Sequence, residues 1–292
     1  DVLLRRIYDR MPLKLDKIQF ENPFHKTFIL LQAHFSRLTL PADLAQDQRD
    51  ILNRVLTLLN ACVDVMSSGA MLNAIVAMEI SHMCVQAVWD RDSPLRQVPH
   101  FTAATIQRCQ ARGIHDVYAL ADVLTHMSQH ERDELLQLDK RQLADVANLT
   151  NEFPYVDIEF DILDKKKLDS ASTIILQAKL ERDVDEEEEE PSDPTAIAPF
   201  YPSPKMTAWW LVIGDPGTNS LLSIKRVTIA KTLDVRLEFM LPAGMHDKLK
   251  LYLMCDSYIG ADRELEVPAL HVAQGEEDEE LDDEDNIEMP DA

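Results

Sequence analysis

The stretch "WWLVIGDPGTNSLLSIKRVTI", Trp209 to Ile229, decides the fold of the second half of this chain. Two tryptophans open an apolar run, a Gly-Asp-Pro-Gly turn interrupts it, and a second alternating run follows. A glycine-bearing turn between two such runs either cradles a phosphate or closes a hairpin. No lysine follows the glycines of "GDPGTNS", and the turn leads into another alternating run, not a helix. Both facts favour a β-hairpin over a phosphate loop. Successive strand residues point to opposite faces, so alternation separates Trp209 from Trp210. One belongs to the core. The other is either covered by the neighbouring proline-rich segment or offered to a partner, where tryptophan is a favoured anchor. Leu222, Ile224, Val227 and Ile229 do not keep one strict alternation, which places a bulge near Lys225.

Upstream of this hairpin, the period of the apolar residues changes near residue 153. After Pro154 come seven alternating segments: "YVDIEF", "STIILQAKL", "AWWLVIG", "LLSIKRVTI", "LDVRLEF", "LKLYLMCDSY" and "ELEVPALHV". Seven short strands separated by turn signals predict an immunoglobulin-like β-sandwich over 154–273, interrupted by an acidic and proline-rich loop at 181–205.

Before residue 153 the spacing is helical. "KTFILLQAHFSRLTLP" puts Phe28, Leu31, Phe35 and Leu38 on one face and closes at Pro41. The next helix carries Asn53, Thr57, Asn60, Asp64 and Ser67 as one narrow polar stripe on an apolar cylinder, which predicts a mid-bundle helix with one wet edge. In the helix after it, Glu79, His82, Gln86 and Asp90 form a similar edge, and Pro94 bars continuation. Together these make a helical bundle over 1–99. From 100 to 153 the helices shorten, and "SQHE" and "DKRQ" are capping boxes, so this part reads as a small helix-loop-helix module.

The chain has 292 residues and a formal net charge of -23, but the charge is local. Residues Glu276 to Asp291 hold eleven acids and no base, and Glu181 to Asp193 hold nine acids against Arg182. These two runs carry 19 of the 23 net negative charges, so the rest is close to neutral. The runs, and the tail 274–292 in particular, are expected to be solvated and disordered, with docking of a basic partner as the functional alternative. A near-neutral body is not a broad cationic platform for nucleic acid. No apolar stretch reaches membrane-spanning length, so no membrane partner is expected. The chain starts at Asp1 without a signal-type apolar block and reads as a piece of something longer. Cys62, Cys84, Cys109 and Cys255 form no CxxC pair, which favours reduced core thiols over a zinc site.

Few residues carry a chemical signature. His126 and His130 have the i,i+4 spacing of two metal ligands but straddle the cap at Ser128. No serine sits in a nucleophile elbow and no Gly-x-x-x-x-Gly-Lys-Ser/Thr occurs, so neither catalytic residues nor a cofactor or metal site is expected in this chain. Around Gly113, Arg108 and Arg112 are the basic residues that a phosphate-binding hairpin would use, but the usual Gly-x-Gly is missing and packing is the favoured role.

Six strings then attach to this order of parts: "LLQAHFSRL", "ACVDVMSS", "PLRQVPHF", "WWLVIGD", "SIKRVT" and "CDSYIGADRE". Together they resemble the Sec-sixty-three homology unit of the spliceosomal DExH-box RNA helicases of the bad-response-to-refrigeration type, from about Leu3 to Val272. "LLQAHFSRL", "WWLVIGD" and "DSYIGAD" fit the second of the two copies that this family carries. The resemblance implies a nuclear parent that unwinds small nuclear RNA duplexes with ATP and magnesium, and a second cassette that regulates and docks splicing proteins without working as a helicase itself. It also implies that one long bundle helix lies along RNA in an active cassette. Of the two candidates here, the first offers only Arg54 as a basic residue and the second none, which supports docking over RNA contact. Trp209, Trp210 and Tyr258 are therefore the expected partner-binding residues, and Arg54, Arg108 and Arg112 the expected RNA-facing ones if RNA is touched at all.

Overall fold

The computed structural model describes residues 2–183 and 195–275. Among the described residues, eight α-helices come first and antiparallel sheets follow. Both acidic runs lie largely or wholly outside the described residues.

Helix α1 (Val2–Arg10) packs on α2 (Pro23–Phe35). Asn22 caps α2 through its side chain and Pro23 sets its first turn, so it starts three residues before Lys26. It ends six residues before Pro41, because Arg37 turns left-handed (φ 51°). Helix α3 (Ala42–Ser68) runs 27 residues, and α4 (Ala74–Gln86) returns antiparallel to it. Helix α4 also stops early. Ala87 adopts φ 51°, and the Arg37 guanidinium donates to the carbonyls of Gln86 and Ala87 at 2.9 and 3.0 Å. A cation on the last carbonyls of a helix meets the negative end of its dipole. The short helices α5 (Ala103–Ala111), α6 (Val117–His126), α7 (Gln129–Leu136) and α8 (Lys140–Glu152) are capped by Thr102, Asp116, Ser128 and Asp139, the last two in full capping boxes.

One sheet orders β1 (Val156–Ile162), β2 (Ile174–Arg182) and β5 (Thr232–Phe239) side by side. The second orders β4 (Ser220–Val227), β3 (Trp209–Asp215), β7 (Lys250–Cys255) and β8 (Arg263–Glu266). A small pair joins β6 (Gly244–His246) to β9 (Leu270–Val272). "ELEVPALHV" thus makes two strands in two sheets, because Pro268 has no N–H to continue the ladder. Leu176, Ala178 and Leu180 of β2 and Val235 and Leu237 of β5 share a core with Trp209, Leu211 and Ile213 of β3. The same buried cluster runs on into the short helices through Phe153, Leu149, Leu120 and Ile114.

Strand β3 is buried on both faces. Its other face, Trp210 and Val212, packs with Val63, Leu72, Ala77 and Met78 of the α3–α4 hairpin. Trp209 is 2% exposed and Trp210 4%, so the expectation that only one belongs to a core is corrected. The fold has a core on each side of this sheet, and helices, not the proline-rich segment, cover the second. The turn Pro216–Asn219 closes the β3–β4 hairpin, and its backbone is engaged with the α3–α4 link: Asn219 accepts from Leu72 N and Asn73 N at 3.0 and 2.9 Å, and Leu221 N donates to Ala70. The bulge is at Leu222, three residues before Lys225, where Ile213 pairs with Ser223 but Gly214 with Leu221.

Of the polar edge expected on α4, Glu79 and Asp90 are exposed, but the stretch between them is a seam. His82 and Gln86 are 6% and 1% exposed. His82 Nδ1 donates to the Cys255 carbonyl at 3.2 Å and lies 3.7 Å from Asp262. Gln86 donates to the carbonyls of Ser257 and Ile197. Ile197 belongs to a strap, Thr195–Met206, that is fastened near its start and at its middle: Tyr258 Oη accepts from Ile197 N, and Tyr201 Oη donates to the Leu52 carbonyl of α3.

Two outcomes follow from these contacts. A Cβ on Gly214 would lie 2.6 Å from Leu72 Cδ1 and 2.7 Å from the Ser220 carbonyl oxygen. Gly214→Ala is therefore expected to cost about 2 kcal/mol through overpacking, read as a lower urea midpoint at unchanged slope; a midpoint equal to wild type would mean that the hairpin is not held against the α3–α4 link. The second concerns pH. Burial pushes Asp262 up from 3.8 to about 7, against the hydrogen bond it accepts from Cys255 N, and burial pushes His82 down from 6.5 to about 4. The raised acid loses stability as pH climbs from about 4 to 7, whereas the lowered histidine loses stability as pH falls from about 6.5 to 4. In wild type the two offset. Asp262→Asn removes the first alone, so its unfolding free energy relative to wild type should rise by roughly 3 kcal/mol between pH 4 and 7. A difference independent of pH would show that Asp262 is already ionised in the folded protein.

Candidate docking face

The residues singled out in the sequence do not converge. Tyr258 is 2% exposed, with its hydroxyl on Ile197 and its ring 5.2 Å from that of Phe153. With both tryptophans buried as well, none of the three is available as a surface anchor, and each serves the core or the strap. Arg108 donates to the carbonyls of Leu135 and Leu136 at 2.7 and 3.2 Å and so completes the end of α7. Arg112, one turn on, stands 3.5 Å from Glu134 in an exposed pair worth little in water. Arg54 is exposed in mid-α3, on a different helix from the other two.

Around Trp210 the structure builds a polar cluster that the sequence did not announce. Arg226 stacks over the Trp210 ring, its guanidinium carbon 3.7 Å from the centroid, and bridges to Asp256. Lys205 of the strap reaches the same carboxylate at 2.6 Å, and Ala208 N donates to it at 3.0 Å. Asp256 has a side chain 2% exposed, so these cations neutralise a buried charge and hold the strap to β4 and β7. The polar stripe of α3 faces this cluster. Asn60, Asp64 and Ser67 line a cleft of about 360 Å³ whose opposite wall is Ile224 and Arg226 and whose floor is Trp210.

The rest of α3 divides in two. Leu52 and Val63 are buried and Val55, Leu56, Leu59 and Met66 half-buried on the inner side. Leu58, Cys62 and Val65, spaced four and then three apart, lie exposed on one face, with Leu58 65% and Val65 71% accessible. Val76 of α4 and Met71 of the link are exposed beside the helix end. This is an edge helix with an open apolar side, not the mid-bundle helix expected. The apolar periodicity was legible; how much of it neighbouring helices cover was not. Helix α3 carries four aspartates against Arg49 and Arg54, so the face does not present the dense cations that RNA phosphates demand.

Burial pushes the thiols of Cys84 (to about 12), Cys109 and Cys255 up, away from nucleophilic thiolates. Burial, with Asp90 adding to it, also raises the Glu79 carboxyl. No group of three or more metal-ligating side chains assembles among the described residues, and His126 and His130 lie on different helices, α6 and α7.

Comparison with known proteins places this arrangement. The chain is 45% identical over 267 residues to the pre-mRNA-splicing factor brr2 of Schizosaccharomyces pombe, covering 91% of this chain and 12% of that protein. It is 40% identical over 283 residues to the human U5 small nuclear ribonucleoprotein 200 kDa helicase, covering 97% and 13%. It is 38% identical over 273 residues to the activating signal cointegrator 1 complex subunit 3-like protein of Dictyostelium discoideum, covering 91% and 12%. The chain thus spans about one eighth of the length of these relatives. The Sec63 Brl domain profile matches residues 1–268, and the chain belongs to that family.

Proposed function

We propose that this chain is a non-catalytic interaction and regulatory module of a spliceosomal RNA helicase, in the second of that enzyme's two cassettes, acting in the nucleus. On this reading ATP and magnesium serve the parent's motor, and this module binds no cofactor of its own. Its β part is an immunoglobulin-like sandwich, as the three-stranded and four-stranded sheets sharing one core suggest. The observation that carries the proposal is the open apolar side of α3, Leu58 to Val65, on a helix with more aspartates than arginines. Such a surface suits a protein partner, another splicing factor, better than a phosphate backbone. Identity to the named splicing proteins over nine-tenths of the chain supports the cellular setting.

The second reading is an accessory RNA contact that guides a strand leaving the motor. Arg54 is the residue in its favour, since it stands exposed in mid-α3.

Fluorescence anisotropy of the chain with a short single-stranded RNA separates the two. The docking reading expects no binding at physiological salt. A complex that persists there, and weakens steeply with added salt, would give first place to RNA. The companion test is Leu58→Asp with Val65→Asp in the full-length helicase. Loss of co-purifying splicing proteins with unwinding retained is the expected result; retention of all of them would move the docking surface elsewhere.

A further inference from the structure

The strand order β1–β2–β5 leaves one side of β1 without a neighbour. Two bonds at the ends of β1 fix which backbone groups face that side. Leu163 N donates to the Ile175 carbonyl and Asp183 N to the Tyr155 carbonyl, and both pairs continue the β1–β2 register. Bonded pairs recur at every second residue of an antiparallel ladder. Asp157, Glu159 and Asp161 therefore spend their N–H and C=O groups on β2, and Ile158 and Phe160 turn theirs outward. Among the described residues, no strand, loop or side chain bonds those outward groups. At the strand's end, the Ile162 N–H is taken by the carboxylate of Asp161.

Open edges are commonly blunted by a bulge, a proline or shortness. The second sheet follows that rule, with the bulge on β4 and only four residues in β8. Strand β1 has seven residues in unbroken register and no proline. Its apolar side is also unfinished. Ile158 and Phe160 are half-buried, although Leu180 and Ala178, their opposite partners in β2, are fully covered. Water serves the outward backbone groups, but only a further strand would also cover these side chains as β1 covers those of β2. The opposite face of β1 settles the charge of that strand. Asp157, Glu159 and Asp161 are exposed, and β1 holds no base. Asp161 pairs with Lys165, but Asp157 lies opposite Glu181, and Lys179, opposite Glu159, is bonded to Glu181. Like charges across a ladder are unfavourable, and an added basic strand would relieve them. A second copy would not: antiparallel pairing about Glu159 sets it against its own copy and Asp157 against Asp161. RNA phosphates are repelled for the same reason.

We propose that the outer edge of β1 takes an extended basic segment of a partner protein as an added strand. Alternate residues of such a strand fall on opposite faces, so its sequence alternates basic side chains, beside Asp157 and Glu159, with apolar ones, beside Ile158 and Phe160. The site lies on the three-stranded sheet, and its test is independent of the docking role argued for α3.

Amide hydrogen exchange, followed by NMR on the whole chain, reads these backbone groups one by one. In the free chain the amides of Ile158 and Phe160 should exchange fast and that of Glu159 slowly. A capped hexapeptide of alternating lysine and valine should slow both fast amides by roughly tenfold or more, and its glutamate–valine counterpart should leave them unchanged. Asp157→Asn with Glu159→Gln should weaken binding of the lysine peptide by roughly tenfold while the amide at position 159 stays protected. Binding that leaves Ile158 and Phe160 fast would overturn the proposal in favour of charge attraction without strand pairing. Equal effects of the two peptides would overturn it because the acids would not select, and no binding of either would leave the edge to water. Protection already present in the free chain would overturn it as well, in favour of a second copy if it grows with protein concentration.

Discussion

Strand β3 has no solvent face, and the rest of the structure is arranged around that constraint. Truncating one buried tryptophan typically costs about 3–5 kcal/mol, a large share of the net stability of any domain. A strand that places tryptophans on opposite faces therefore requires apolar cover on both. The three-stranded sheet supplies it for Trp209, and the α3–α4 hairpin supplies it for Trp210. The helices must come close for this, which explains Gly214: a side chain there would collide with Leu72. It also explains why the turn Pro216–Asn219 is spent on the α3–α4 link, where its carbonyl and side chain meet backbone amides that the closing helices would otherwise strip of water.

Bringing helices onto a sheet also buries irregular backbone, and glutamine is the recurring answer. The side-chain amide offers one acceptor and two donors, so it can pair with a backbone unit as a second strand would. Gln97 accepts from Ile259 N and donates to the Ile259 carbonyl, and Gln32 does the same with Leu13. Gln86 bonds two carbonyls from the strap and the segment after β7. These three side chains are each 1–2% exposed. Histidines take part as neutral groups: His34 meets the Cys84 carbonyl, and burial keeps its pKa low. These buried glutamines and histidines thus mark joints between segments of the protein.

That division shows which features were legible in the sequence. Local rules carried the short helices well, because a cap at Ser128 or Asp139 is decided within four residues. The β3–β4 hairpin was legible for the same reason. What failed depended on distant partners. His82 and Gln86 looked like a wet edge because spacing shows a polar stripe without showing whether water or backbone satisfies it. Tyr258, Trp209 and Trp210 looked like possible anchors because an aromatic at an interface and one in a second core have the same local sequence.

The open side of α3 acquires meaning from what stands behind it. A long helix exposed along one side would ordinarily shift or fray, and a partner would have to order it on binding, at a cost in affinity. Here the inner side is fixed at several levels. The strap fastens the first half of the helix, with Tyr201 on the Leu52 carbonyl and Ser203 on Asn53. Val63 is locked in the Trp210 cluster, and the link beyond Ser68 is bonded to the β-hairpin. The strap in turn is held by Asp256, whose buried charge is met by Lys205 and Arg226. Leu58 and Val65 are thus presented on a helix whose position is set before any partner arrives, so the free energy of covering them is available for binding and not consumed in ordering the site.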